Sequence, residues 1–213
     1  MNDTTGGIVV LISGRGSNLK SIIEAVQNKE IPARIACVIS NRESAGGLQY
    51  ARDAGIPVEV VNDRDFASRE DFDAQLIKTI DQYQPSLVVL AGFMRILGDE
   101  FVNHYLGRMI NIHPALLPDY PGLNTHERAL QDGVERHGAT VHFVIPEVDS
   151  GPIIIQRAIP VLPDDTPDQL AARVLEQEHD IYPKAIRWFV EGRLSVDGNE
   201  VLLDGQKSPE QGP

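Results

Sequence analysis

The sequence predicts an α/β fold: a doubly wound, mostly parallel sheet with helices on both faces and a C-terminal antiparallel extension. Three observations carry that expectation. Short β-branched runs alternate with stretches of helical periodicity, as βαβ units do. The runs at Ile8 to Ser13, Arg34 to Ser40 and Ser86 to Ala91 are apolar at successive positions rather than alternate ones, as strands covered on both faces require. Near the C-terminus the pattern changes to alternating strands joined by turns.

Taken in order, Ile8 to Ser13 reads as a strand that ends in Gly14-Arg15-Gly16-Ser17-Asn18-Leu19, after which Leu19, Ile22, Ile23 and Val26 recur at helical spacing. Free N–H groups at a helix start attract anions, and Gly14 and Gly16 let a ligand approach the main chain, so Gly16, Ser17 and Asn18 form a candidate phosphate site. The same residues also fit a plain tight turn with Ser17 as N-cap. The loop is neither a dinucleotide fingerprint, since Leu19 takes the place of the third glycine, nor a Walker loop. Arg34 to Ser40 reads as a second strand, Ala45 to Ala54 as a helix, Val58 to Val61 as a third strand and Ser68 to Tyr83 as a helix. The most apolar strand, Ser86 to Ala91, runs into a loop, Gly92 to Leu97, with Arg95 among greasy neighbours.

Leu106 to Ile112 ends in an alternating run, so Asn111 and His113 project to one face at a strand end. Directly after them Pro114, Pro118, Pro121 and Gly122 forbid helix or paired strand and fix an irregular loop. A histidine there is placed either for chemistry, at the carboxyl end of an α/β strand, or simply to cap the strand. The glycine turn, the 92 to 97 loop and this loop leave one edge of the sheet and could meet over one cleft, although Phe93 to Leu97 would read the same as a plug of the core. Thr125 to Gly133 reads as a short helix. Ala139 to Ile145 alternates with Thr140, His142 and Val144 on one face, and a turn at Pro146 to Gly151 carrying Asp149 leads to a strand over Pro152 to Ile159. A turn carboxylate is ordinarily a solvated turn residue.

Thr166-Pro167-Asp168-Gln169 is a capping box opening a helix to about Val190. Glu178 falls on its apolar stripe with Leu170, Val174, Ile181 and Ala185, so it needs a cation, from the protein or from a substrate amine. Arg193 to Leu203 reads as a hairpin. Residues 1 to 205 are expected to be one domain and 206 to 213 a loose tail.

With 213 residues and 42% hydrophobic content the chain can bury a core. A single cysteine, Cys37, excludes a disulfide framework, and no run of apolar residues suffices to span a bilayer. The expectation is a soluble cytoplasmic protein. A net charge of -12 disfavours nucleic acid and anionic membrane as partners.

Together the segments VVLISGRGSNL, VVLAGFMRIL, NIHPALLPDYPG, GATVHFV with Asp149 after it, and ARVLEQEH followed by YP resemble the folate-dependent glycinamide ribonucleotide formyltransferases of purine synthesis, over nearly the whole chain. The proline loop is shared among formyl-tetrahydrofolate enzymes, whereas the glycine turn and ARVLEQEH point to the acceptor. Ala115 departs from the serine of many relatives; Thr140 keeps a hydroxyl.

The resemblance implies the formyltransferase fold and transfer of formyl from 10-formyltetrahydrofolate to the glycinamide amine, without a metal. It implies Asn111, His113 and Asp149 as catalytic residues, with a protonated His113 kept charged by Asp149. Gly16, Ser17 and Asn18 would take the ribonucleotide phosphate and Glu178 its ammonium. The folate would meet Met94, Arg95, Ile96, Leu97, Asn111 and the turn Pro146, Glu147, Val148 and Asp149, with Arg69 at its glutamate carboxylate. The implied partners are small molecules, and the enzyme a monomer or homodimer. Methionyl-tRNA formyltransferases share the proline loop but carry a nucleic-acid-binding domain, and the hydrolases of formyltetrahydrofolate a regulatory one, neither of which this chain is expected to have.

Overall fold

The computed structural model describes residues 7–207. In chain order the elements are β1 (Ile8–Ile12), α1 (Ser17–Gln27), β2 (Ile35–Ser40), α2 (Gly47–Asp53), β3 (Val58–Val60), α3 (Arg69–Asp81), β4 (Leu87–Leu90), α4 (Asp99–His104) and β5 (Met109–His113). They continue with α5 (Thr125–Asp132), β6 (Arg136–Phe143), β7 (Ile153–Pro160), α6 (Pro167–Val190), β8 (Leu194–Asp197), β9 (Glu200–Leu203) and β10 (Gln206–Lys207). A seven-stranded sheet has the order β3-β2-β1-β4-β5-β6-β7, and β10-β9-β8 form a second, three-stranded sheet. β1 pairs in parallel with β2 and β4, and β2 with β3, while β6 and β7 are antiparallel. The fold class read from the sequence therefore holds, C-terminal antiparallel extension included.

The chain divides into two compact units, one reaching to Ile110 and one starting at Asn111. In the first, every residue of β1, β2 and β4 is buried, which a strand attains only when both faces are covered. The cover comes from Leu19 and Ile22 of α1, Leu48 of α2, Phe72, Leu76 and Ile80 of α3, and Phe101 of α4. The chain order reverses direction between β1 and β4, so the loops leaving those two strands flank a topological switch point, where open α/β sheets bind ligands.

In the second unit α6 packs on the β6–β7 hairpin. It starts at the expected box: Thr166 accepts from Gln169 N while the Gln169 side chain accepts from Thr166 N. Its stripe of Leu170, Val174, Ile181 and Ala185 is wholly buried, and Glu178 is buried with it.

Four sequence expectations change. The N-cap of α1 is Gly16 rather than Ser17, because the cap residue stands at φ 73, a left-handed conformation that glycine adopts at little cost. α4 was not foreseen; its six residues are too few for a periodic pattern to show. β6 starts at Arg136 instead of Ala139. Gln206 and Lys207, expected in the loose tail, pair with Leu203 and Leu202 of β9, and residues 208–213 of that tail lie outside the described residues.

Candidate active site

The second unit brings together three of the side chains singled out in the sequence and adds a fourth. Asn111 and His113 leave the end of β5, two residues apart. The β6–β7 turn returns Asp149 to them, at φ 52, so that Oδ2 accepts from Gly122 N at 2.8 Å and lies 3.4 Å from His113 Nδ1. His113 Nε2 stands 2.8 Å from the Tyr120 carbonyl oxygen. A carbonyl can only accept, so Nε2 carries a proton, and Nδ1 faces a carboxylate oxygen. A ring with a proton on each nitrogen satisfies both neighbours. His113 is buried at 5% exposure, so Asp149 is its charge partner in a nearly dry place.

The added residue is His142 of β6. Its Nδ1 lies 2.9 Å from the Phe143 carbonyl oxygen and so is the protonated nitrogen. Burial lowers the pKa of His142, against the raising effects of that carbonyl and of Asp149, so the ring is neutral. Nε2 is then a lone pair, and Asn111 Nδ2 donates to it at 3.3 Å. At 3.7 Å from Asp149 Oδ1 the neutral ring forms no ion pair. The outcome is that Asn111 is oriented amide-nitrogen first. The sequence places His142 on the Thr140 face of β6, but only the tautomer reveals what it does.

The proline loop is clamped from β6 and β7. Thr140 Oγ1 donates to the Ala115 carbonyl at 2.6 Å and accepts from Leu117 N at 3.1 Å, while Gln156 Nε2 reaches the Leu117 carbonyl at 2.8 Å. The loop is thus held through the backbone of residue 115, and a serine hydroxyl at Ala115 is not needed for it. Below the loop, His126 and His137 share a 3.2 Å contact, and burial pushes His137 down to about 4.

Glu178 lies on the buried stripe of α6 at 8% exposure. In the turn, Glu147 and Val148 are exposed and Pro146 half-buried.

In the first unit, the glycine turn leaves β1 and closes against α2. A Cβ on Gly16 would lie 2.5 Å from the Gly47 Cα, so the approach demands glycine on geometric grounds as well as by φ. The N-cap of α1 makes no side-chain hydrogen bond to its first turn. Asn18 is buried there and Ser17 half-buried.

The 92 to 97 loop exposes Met94 and Ile96 at 62% and 67%, so it is no plug of the core. Leu97 is half-buried beside them. Arg95 pairs with Asp63 at 3.2 Å and stacks over Phe72. Arg69 opens α3 with about half its side chain exposed, 3.5 Å from Glu70. It lines a cavity of about 200 Å³ with Asp73, whose carboxyl pKa burial raises and whose Oδ2 accepts from Gly98 N at 2.7 Å.

Among the described residues, no group of three His, Cys, Asp or Glu side chains is placed to hold a metal ion. No described helix is long and apolar enough to cross a membrane.

Residues 7–186 match the family described as formyl transferase. The chain is 53% identical over 205 residues to the phosphoribosylglycinamide formyltransferase of Escherichia coli, covering 96% of this chain and 97% of that one. The solved phosphoribosylglycinamide formyltransferase of Coxiella burnetii superposes with a TM-score of 0.91 at 53% identity, covering 97% of each chain. A formyltetrahydrofolate deformylase from Pseudomonas syringae has a TM-score of 0.86 at 29% identity, covering 93% of this chain and 66% of that one. With the doubly wound sheet and the histidine–carboxylate cluster at the end of β5, these similarities establish that the chain belongs to the formyl transferase family.

Proposed function

We propose that the protein transfers the formyl group of 10-formyltetrahydrofolate to the primary amine of glycinamide ribonucleotide, giving formylglycinamide ribonucleotide and tetrahydrofolate in purine (IMP) synthesis. The observation that carries the reading is the cluster at the end of β5, in which the Asn111 amide N–H₂ is oriented by His142 and Asp149 Oδ2 lies 3.4 Å from His113 Nδ1.

The amine nitrogen attacks the formyl carbon, and the carbonyl electron pair moves to oxygen. Asn111 Nδ2 donates to that oxygen as its charge develops, and His113 joins it by exchanging the Tyr120 carbonyl for the oxygen as acceptor of its Nε2 proton. Collapse breaks the bond from the formyl carbon to folate N10, and the proton given up by the amine ends on N10. Asp149 Oδ2, 3.4 Å from Nδ1, fixes the ring plane of His113.

Glu178 receives the substrate ammonium, which loses one proton to water before its nitrogen attacks, and Gly16, Ser17 and Asn18 take the substrate phosphate. The folate lies along Met94, Arg95, Ile96 and Leu97, against Asn111 and main-chain groups of Pro146, Glu147, Val148 and Asp149, with Arg69 at its glutamate carboxylate. On this reading residues 1 to 205 work as one formyltransferase domain in the cytoplasm, as a monomer or homodimer acting on small molecules, without a metal.

The deformylase likeness favours a second reading, with water as acceptor. Mass spectrometry of the ribonucleotide after incubation with 10-formyltetrahydrofolate decides between them. A gain of one formyl group supports transfer; free formate with unmodified ribonucleotide would favour hydrolysis. Glu178→Gln should raise the KM for the ribonucleotide and leave that for the folate, and the reverse pattern would remove Glu178 from the amine site.

A further inference from the structure

Ser13 is the last residue before the glycine turn, and it is 6% exposed. Every polar group it has except its carbonyl is committed. Its N–H donates to the Gly92 carbonyl at 3.1 Å, its Oγ accepts from Met94 N at 2.7 Å, and the same hydroxyl donates to Asn41 Oδ1 at 2.6 Å. The first two bonds cross from β1 to β4 at the switch point, so one residue anchors both the 14 to 18 loop, which it precedes directly, and the 92 to 97 loop.

Asn41, just past β2, is 1% exposed and is held for its oxygens: Nδ2 is buried with no acceptor among the described residues. Its backbone carbonyl accepts from Asp63 N at 3.4 Å, and Asp63 in turn holds Arg95. Two routes therefore run from Asn41 to the 92 to 97 loop, one through Ser13 to Met94 and one through Asp63 to Arg95.

The glycine turn is braced on its other side as well, since Gly47 N donates to the Gly14 carbonyl at 3.0 Å and Gly16 lies against Gly47. The turn is thus held between Gly47 on one side and Ser13 on the other, and Ser13 also holds the 92 to 97 loop. Met94 N depends on the Ser13 hydroxyl, while the Met94 side chain projects into solvent. A ligand that fixes the turn therefore reduces the ordering cost left for a ligand that settles on Met94 to Leu97.

We propose that Ser13 is a positioning residue that couples the two loops, so that the phosphate ligand of the 14 to 18 loop and the folate of the 92 to 97 loop bind cooperatively. The proposal rests on the subsites assigned under the proposed function. By linkage, each ligand must tighten the other by the same factor.

The test is the Kd of a dideazafolate lacking the formyl group, measured by calorimetry with and without saturating glycinamide ribonucleotide. In the wild type the ribonucleotide should tighten it by about 5-fold or more. In Ser13→Ala that ratio should fall to about 1, whatever the change in either Kd alone. An equal ratio in both proteins, or none in the wild type, overturns the coupling.

Because Ser13→Ala removes a buried hydroxyl, a measurement on the unaltered protein stands beside it. Ribonucleotide alone should slow hydrogen exchange at the Met94 amide by about 5-fold or more, and unchanged exchange contradicts the proposal. Wild-type protein that forms no formylated ribonucleotide would instead overturn the function beneath it, whereas normal turnover with an unaltered ratio defeats the coupling alone.

Discussion

Asp149 is the side chain around which the residue-scale account turns. One oxygen accepts from Gly122 N and faces His113, so its position is fixed from the proline loop as well as from its own turn. Asp149→Asn keeps the size and loses the negative charge that faces His113 Nδ1; kcat should fall roughly 10²-fold with the fold intact. His113→Asn should cost about the same, and a near-normal rate with unchanged circular dichroism would remove either residue from catalysis. His142 acts through Asn111 only. His142→Leu removes the lone pair that orients the amide, and kcat should drop roughly 10- to 100-fold with little change in either KM. An unchanged kcat would show that Asn111 needs no such support. Asn111 and His113 were legible in the sequence because a strand puts i and i+2 on one face. Asp149 is 27 residues beyond Gly122, its backbone partner, and only the family resemblance singled it out. His142 could not be assigned beforehand, because its role lies in which nitrogen holds the proton.

Among the elements, the proline loop is the one whose order the sequence leaves unexplained. Proline removes donors and restricts φ but does not say where the loop is fastened. The fastening is Thr140 and Gln156, one residue each from β6 and β7, which register pairs across the hairpin. Thr140→Val keeps the shape and leaves the Ala115 carbonyl, Leu117 N and a Gln156 donor without their partner. It should cost about 1–3 kcal/mol in urea unfolding and weaken folate-analogue binding. Stability within a few tenths of a kcal/mol of wild type would mean that the loop holds itself. Helices with a full apolar stripe, α1, α3 and α6, were legible to within a few residues, as were the buried strands. α4, with only Phe101 and Val102 buried, carries too little periodicity to be seen, and tertiary packing rather than pattern makes it helical.

For the molecule as a whole, buried histidines set the acid limit. Burial pushes His137 from 6.5 to about 4, so between those values the unfolded chain takes up a proton that the folded chain refuses. Stability is complete above about pH 6.5 and falls as the pH drops toward 4, by about 3 kcal/mol from this residue. His126 and His142, also lowered by burial, act with the same sign. Urea midpoints from pH 7.5 to 4.5 should therefore decline, and decline less in His137→Gln; parallel curves for the two proteins would contradict the assignment. On the proposed function, the whole-chain charge of -12 leaves phosphate binding to a local device such as the start of α1, which no side chain caps.

The central claim is that the acceptor is the ribonucleotide amine, and the direct measurement is spectrophotometric deformylation of 10-formyl-dideazafolate with and without glycinamide ribonucleotide. Deformylation only in the presence of the ribonucleotide is the predicted result. Deformylation at the same rate in its absence would make water the acceptor and contradict the account.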